Sequence, residues 1–364
     1  MSRILLLADI NSAHTRKWVL GLLQHGLQVG VFSLRESSGN WHEGLDHFEL
    51  FSGSIPDATF HSGLSGKAAY LKLLPQVKKI IRSFRPDIVH AHYATSYGLL
   101  GRLSGFHPLI ISAWGSDVMD FPSKGLIARR LLKSNLAKAD VLMATSPTIE
   151  KYIHKIVSRE VIITPFGVDT SVFKPGRAAK GNEIVIGAVK ALEKVYAHDI
   201  TIDAFAEARK QRPELNLELL FVGDGTERAK LEEKVKQLGL TGEVTFTGKV
   251  DYAEVPAWHN RLDIFMNISE YESFGVSVLE AMACETPVIV TDTGGLADLV
   301  EQDKEGIRVP LRDVPATCAA ILKLAGDAAL RSRMGKAGRE KVNREYTWEN
   351  NVKAVIHVYE NLLK

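Results

Sequence analysis

Cysteine is nearly missing from this chain: two in 364 residues, Cys284 and Cys318. Neither has metal-ligand spacing, so a disulfide framework and a zinc site are excluded, and a reducing, cytoplasmic compartment is expected. No apolar run approaches the ~18 residues that a membrane span needs. The first apolar run, residues 4–8, is stopped by Asp9. It is too short for the core of a secretory signal and reads as a buried strand. A large charge of one sign is also absent. The net charge is +2 and no recognised nucleic-acid module appears, which argues against a nucleic-acid binder. Short internal repeats and low-complexity tracts are lacking too, which excludes a solenoid or a disordered chain.

What is present is enough apolar residue for two cores: 45% hydrophobic, with 29 glycines. Short apolar runs at 3–8, 29–34, 87–91, 109–112, 140–144 and 161–164 read as strands. Helical patterns lie between them at 13–25, 67–84, 96–104, 126–137 and 147–156, with Pro75 expected to break or kink the second. Residues 166–182, with Pro175 and three glycines, read as a linker. The alternation then restarts. Strands are expected at 183–189, 217–222, 244–247, 264–267, 287–290 and 306–309, and helices at 201–211, 227–238, 275–284, 314–325 and 331–346. A last amphipathic helix at 348–363 carries Val352, Val355, Ile356, Tyr359 and Leu363 on one stripe. Strand-helix alternation of this kind implies an α/β chain of two doubly wound, Rossmann-like parallel-sheet domains. The expected division is 1–168, 169–346 and a helix at 347–364 packing back on the first domain. Such sheets bind ligands at the carboxyl ends of their strands, so two of them across a cleft can hold two substrates.

Charge is uneven along the chain. Residues 1–170 carry 19 Lys and Arg against 13 Asp and Glu, and the remainder carries 26 against 30. The basic excess concentrates in two stretches without acids. One holds Lys67, Lys72, Lys78, Lys79, Arg82 and Arg85; the other holds Lys124, Arg129, Arg130, Lys133 and Lys138. Solvated helix faces are the plain reading. The second stretch interleaves its cations with Leu131, Leu132 and Leu136, so peripheral contact with an anionic membrane, at its inner face, is the alternative.

The chemically informative stretch is 269–283, Ser-Glu-Tyr-Glu-Ser-Phe-Gly-Val-Ser-Val-Leu-Glu-Ala-Met-Ala. Glu272 stands just before a helix start, where backbone N–H groups of Ser273, Phe274, Gly275 and Val276 suit a phosphate or a sugar hydroxyl. Glu280 lies inside an otherwise apolar helix. A carboxylate there needs donors, such as the two hydroxyls of a ribose; a solvated glutamate on a helix edge is the alternative.

Here the sequence resembles glycosyltransferase family 4 of the GT-B fold. Glu272 and Glu280 match its E-x7-E motif with Ser-Phe-Gly, and residues 287–290 followed by Thr293-Gly294-Gly295 match its continuation. The likeness extends to Pro165-Phe166-Gly167-Val168-Asp169, to Val222-Gly223-Asp224-Gly225 and to His90-Ala91-His92. It implies a retaining transfer from a nucleotide-sugar donor without a metal. Glu272 would contact the donor sugar, Glu280 the ribose, and Phe274 and Gly275 the sugar and phosphate. Basic side chains would neutralise the leaving diphosphate, and Lys190 and Lys194 are the candidates, with Val195 a competitor for the second basic position.

Where many family members carry His-Gly, this chain has Trp114-Gly115, so the family's histidine is not carried over. Asp117 follows as a candidate contact to donor or acceptor, or as a helix cap. Trp114 stacks on a sugar or packs. Asn11, His14 and Arg16, in the loop after the first strand, are read as acceptor contacts, with capping by Asn11 or Ser12 as the alternative. His90 and His92 are read as facing opposite sides of a strand end, with His92 toward the cleft. No carboxylate or third histidine accompanies them, so no metal site is expected. Thr293, Gly294 and Gly295 allow close backbone approach to a donor. The expected function is transfer of a sugar to a glycan, lipid-linked or small-molecule acceptor, as in polysaccharide biosynthesis. A nucleotide-sugar epimerase and a non-catalytic nucleotide-sugar-binding protein are the alternatives.

Overall fold

The computed structural model describes residues 1–56, 69–176 and 181–364. Lys67 and Ala68, the first two residues of the helix expected from 67, and residues 177–180 of the expected linker lie outside them. The chain divides into two compact units, residues 1–165 with 351–364, and residues 166–350.

Among the described residues, the first unit has seven strands: β1 (Arg3–Leu7), β2 (Gln28–Ser33), β3 (Phe48–Ser52), β4 (Ile88–His92), β5 (Leu109–Ala113), β6 (Val141–Ala144) and β7 (Ile162–Ile163). Their order is β3-β2-β1-β4-β5-β6-β7, every pair parallel. Ile4, Leu5, Leu6 and Leu7 are all fully buried, as a central strand covered on both faces requires. The strand order turns outward in both directions from β1 and β4, which makes their carboxyl ends the switch point where such sheets hold ligands.

β3 is absent from the sequence-based pattern because 14 residues without a helix, 34–47, separate it from β2, and its own residues are half-buried rather than apolar throughout. The expected helix is broken just ahead of Pro75, after helical residues 69–70. A 3-10 turn, Leu71–Leu73, leads into the helix Leu74–Phe84, and Pro75 stands in its first turn, where the missing N–H costs nothing. The last helix, Trp348–Leu362, buries Val352, Val355 and Tyr359 on one stripe, and its residues from 351 onward count with the first unit.

The second unit has, among the described residues, six strands: β8 (Ile184–Val189), β9 (Leu217–Val222), β10 (Val244–Phe246), β11 (Ile264–Asn267), β12 (Val288–Thr291) and β13 (Gly306–Val309). Their order is β10-β9-β8-β11-β12-β13, again all parallel, with the switch point between β8 and β11. A short helix, Val255–Arg261, precedes β11. It is too short and too polar to give a periodic signal.

The helix Val276–Ala283 lies after β11, and the long helix Ala328–Glu345 packs on it. Glycines let them approach: a Cβ on Gly335 would sit 1.9 Å from the Glu285 carbonyl oxygen, and one on Gly338 would sit 3.1 Å from Met282 Cγ. Arg339 then donates to the Ala283 carbonyl at the helix end. The conflict at Gly335 is with backbone, so it cannot be relieved by a rotamer change. Gly335→Ala is expected to lower unfolding free energy by about 2–3 kcal/mol, read from urea midpoints. Gly242→Ala, with nothing within 4 Å of its Cβ, is the matched control and should be neutral. Equal midpoints for the two variants would mean that the helix contact is not tight.

Candidate functional site

In the second unit, Lys190 follows β8 and Glu272 follows β11, so the two flank the switch point. Their side chains form an ion pair through Lys190 Nζ and Glu272 Oε2, with side-chain exposures of 11% and 16%. The Lys190 ammonium also lies 4.2 Å from the centre of the Tyr196 ring. Backbone packing sets where each charge stands. Gly223, with a φ of 143°, has the Lys190 carbonyl oxygen 2.1 Å from where its Cβ would be, and Gly225 has the Leu192 carbonyl at 2.4 Å. Hydrogen bonds from Lys190 N to Val222 O (2.9 Å) and from Leu192 N to Asp224 O (3.0 Å) tie the loops together. Glu193 accepts from Thr226 N (3.1 Å) and Oγ1 (2.5 Å), and these bonds lower its pKa.

The Glu272 loop is held in the same manner. Gly294, with a φ of 51°, leaves 2.4 Å between its Cβ position and the Glu272 carbonyl, and Gly295 leaves 2.5 Å to that of Ser273. Gly295 N donates to Glu272 O at 2.9 Å. Thr293 precedes the helix Gly294–Leu299 without capping it through its side chain. Gly275, with a φ of 109°, caps the helix Val276–Ala283. Phe274 is buried, its ring 5.9 Å from Phe166 and 6.1 Å from Tyr346, while Ser273 and Val276 are half-buried.

Glu280 is 6% exposed, so it is not a solvated edge residue. The Tyr252 hydroxyl donates to its Oε1 at 3.2 Å, and His259 Nε2 lies 3.6 Å from its Oε2. Neither partner was expected from sequence, because both come from the segment between β10 and β11. Lys194 is not brought to the Lys190–Glu272 pair. It is exposed, and lines a cavity of about 220 Å³ with Glu193, Asp199, Glu227 and Lys230.

In the first unit the loops after β1, β4 and β5 gather the remaining candidates. Asp117 is buried, and both oxygens are taken by backbone N–H groups: Ala94 at 2.7 Å, Gly115 at 2.9 Å and Trp114 at 3.2 Å. Burial raises its pKa and those bonds pull it down in part. The carboxylate ties the β4 and β5 loops together. Next to it Tyr93 carries a φ of 91°, a strained value for a bulky residue. Burial pushes its hydroxyl up to about 12.

His90 and His92 do not face opposite sides. Residues two apart share a strand face, and their rings meet at 4.5 Å, perpendicular, both buried. His90 pairs with Tyr359 Oη at 2.6 Å and with Ser112 Oγ at 2.7 Å. His92 lies 4.7 Å from the Trp114 ring, which His14 meets edge-on at 5.8 Å. Asn11 does not cap the first helix, Ala13–Gln24, and Ser12, the cap residue, makes no side-chain bond to it. Asn11 instead donates to Glu36 O (2.9 Å) and accepts from Ser38 N (2.7 Å). It lines a polar cavity of about 560 Å³ with Arg35, Glu36, Ser37, Ser38 and Ser54. Arg16 is exposed and lies over the Trp41 ring at 5.8 Å. Among the described residues, no group of three or more His, Cys, Asp or Glu has the arrangement of a metal site.

Two family models match the sequence. One described as Glycosyl transferases group 1 matches residues 169–341, and one described as Glycosyl transferase 4-like matches residues 3–146. A D-inositol 3-phosphate glycosyltransferase from Jonesia denitrificans is 31% identical over 307 residues, covering 75% of this chain and 71% of its own. Among solved structures, sucrose-phosphate synthase from Thermosynechococcus elongatus superposes with a TM-score of 0.83 at 22% identity, covering 100% of this chain and 99% of its own. Anabaena HepE in complex with UDP-glucose superposes at 0.78 and 18% identity, covering 99% and 100%. These likenesses make the fold GT-B.

The buried rings generate a pH prediction. Burial lowers His90 to about 3 and His198 to about 4, and lowers His92 well below the usual range, with His90 and His14 adding to the effect. A histidine depressed in the fold takes up its proton in the unfolded chain first, near 6.5. Stability is therefore full above that pH and falls as pH drops toward about 4 and 3 for His198 and His90. Each ring contributes at most about 1.4 kcal/mol per pH unit in that window. Urea midpoints at pH 7.5, 6 and 5 should fall progressively, and less steeply in His90→Asn. A flat profile would show that these rings are protonated in the folded chain.

Proposed function

The chain belongs to the group 1, family 4-like glycosyltransferases, and from that premise we propose that it is a retaining, metal-independent enzyme whose second unit holds a nucleotide-sugar donor. The observation that carries this reading is the Lys190–Glu272 pair at the β8/β11 switch point, one helix turn from the start of the helix that buries Glu280. Lys190 supplies the positive charge that the departing diphosphate needs, placed before the reaction and half-shielded from water. In the donor complex the diphosphate competes with Glu272 for that ammonium, and Glu272 is released toward the sugar hydroxyls. Amides at the start of the helix Val276–Ala283, which have no partner within the helix, complete the phosphate and sugar contacts. Glu280 accepts from the ribose hydroxyls. The HepE structure is a complex with UDP-glucose, which supports a donor of this chemical class.

The acceptor is a hydroxyl-rich molecule bound by the first unit. The cavity lined by Asn11, Arg35, Ser37, Ser38 and Ser54 is polar, and its volume of about 560 Å³ falls in the range of small-molecule sites. In a retaining front-face transfer, the acceptor oxygen bonds to the anomeric carbon on the face from which the phosphate oxygen leaves. The acceptor's proton passes to that phosphate oxygen. The epimerase and non-catalytic readings draw no support from the relatives above.

A second observation favours peripheral membrane contact. The helix Leu126–Lys138 begins with Leu126 and Ile127 exposed at 74% and 72%, beside exposed Lys124, Arg129, Arg130 and Lys133. No helix among the described residues is long and apolar enough to cross a membrane. The contact is therefore a surface one, with two apolar side chains entering among anionic headgroups.

Two measurements test these readings. Thermal unfolding with UDP, GDP, ADP and their sugars, all in EDTA, should single out one base. At a hundredfold excess over Kd the gain is about 2.7 kcal/mol; Glu280→Ala should abolish it, and Lys190→Met should lower turnover by about a hundredfold. Binding that needs a divalent cation, or that survives in Glu280→Ala, would overturn the donor site. Separately, vesicles containing phosphatidylglycerol should sediment the protein and phosphatidylcholine vesicles should not, with the L126S/I127S double variant released. Equal, weak sedimentation by both lipids would remove the membrane reading.

A further inference from the structure

We propose that His259 is the positioning residue for the ribose carboxylate, holding the Glu280 side chain so that one oxygen is directed at the nucleotide; the proposal rests on the donor reading of Glu280. His259 comes from the short helix Val255–Arg261, next to the segment that carries Tyr252. It is fully buried, in an apolar setting made by the rings of Phe265 at 5.4 Å and Phe173 at 6.1 Å. Neither ring nitrogen has a hydrogen-bond partner among the described residues. A buried imidazole without a partner is costly, and fully buried polar groups of this kind are uncommon. Its nearest charged neighbour is Glu280, with Nε2 3.6 Å from Oε2.

The two groups answer each other's need. Glu280 is buried with one donor in reach, Tyr252 Oη at 3.2 Å on Oε1. Its other oxygen faces the His259 ring, just beyond hydrogen-bonding distance, and a small side-chain rotation closes that gap. When Oε2 is held by the ring, the carboxylate plane is fixed. Oε1, which also accepts from Tyr252 Oη, then keeps its second lone pair for the ribose, beside a tyrosine that is 53% exposed. Donors inside the fold therefore set the direction in which Glu280 accepts. Thr286 Oγ1, which reaches the His259 carbonyl at 3.4 Å, anchors the turn from which the ring projects.

The consequence is specific to the ribose hydroxyls. The probes are UDP and 2′,3′-dideoxyuridine diphosphate, or the matching adenosine or guanosine pair if that base binds better, with affinities measured by calorimetry on the full chain. The wild type is expected to prefer the ribose form by about tenfold or more. Glu280→Gln should bring the ratio close to one. His259→Phe, folded by its melting curve, should lose most of the preference, and His259→Asn, which keeps an N–H donor, should retain most of it. A general packing defect would weaken both probes alike and leave the ratio unchanged. A folded His259→Phe with the wild-type ratio overturns the proposal. If Glu280→Gln also keeps that ratio, the donor reading of Glu280 has failed and the proposal falls with it. Should His259→Phe not fold, 15N-histidine labelling of the wild type decides. The His259 ring signal, identified by its loss in His259→Asn, must shift with UDP more than with the dideoxy probe; equal shifts overturn the proposal.

Discussion

The site in the second unit depends on backbone touching backbone. At Gly223, Gly225, Gly294 and Gly295 a neighbouring carbonyl oxygen stands between 2.1 and 2.5 Å from the Cβ position, a space no side chain can share. These contacts fix the loop after β8 against the loop after β9, and the loop after β11 against that after β12. Lys190 and Glu272 ride on the two central loops, so their meeting is a result of glycine packing more than of mutual attraction. An ion pair alone would be a weak organiser. Its Coulomb gain is offset by desolvation, and a half-buried lysine keeps several rotamers. Because the main chain is placed first, the ammonium is held with little need to reorganise, which on the donor reading proposed above is the condition for electrostatic stabilisation of a departing diphosphate.

Legibility in the sequence follows from this division of labour. Both parallel sheets were readable, since strands covered on two faces appear as unbroken apolar runs such as residues 4–7, and helices between them keep a 3.6-residue period. The E-x7-E spacing and the glycine pairs were readable because they are local. What escaped was non-local. β3 is an edge strand without a preceding helix. Tyr252 and His259 lie more than twenty residues from Glu280 in sequence, and nothing near them marks a site. His90 and His92 share a face because a strand repeats every two residues, a signal that is local and present in the sequence.

The polar residues of the first unit show a further limit. Asp117 has the side chain expected of a substrate contact, but the structure engages it in holding loops, through three backbone amides. A buried carboxylate that accepts several backbone N–H bonds has little capacity left for a ligand. Its contribution is to hold Trp114 and Ala94 at the ends of β5 and β4. Residue type reveals that a polar group is needed at a strand end; it does not reveal whether the protein or the substrate uses it.

The same distinction, turned around, gives Glu280 its interest. Asp117 is saturated by rigid amides, whereas Glu280 has one tyrosine hydroxyl at 3.2 Å and one imidazole at 3.6 Å. A buried carboxylate with incomplete donors is unfavourable in the unliganded chain, and a ligand that brings two hydroxyls relieves that cost on binding. Full internal satisfaction would have made the protein more stable and the site weaker. On the donor reading proposed above, the incomplete shell around Glu280 would exchange local stability for selectivity toward a molecule that carries a diol.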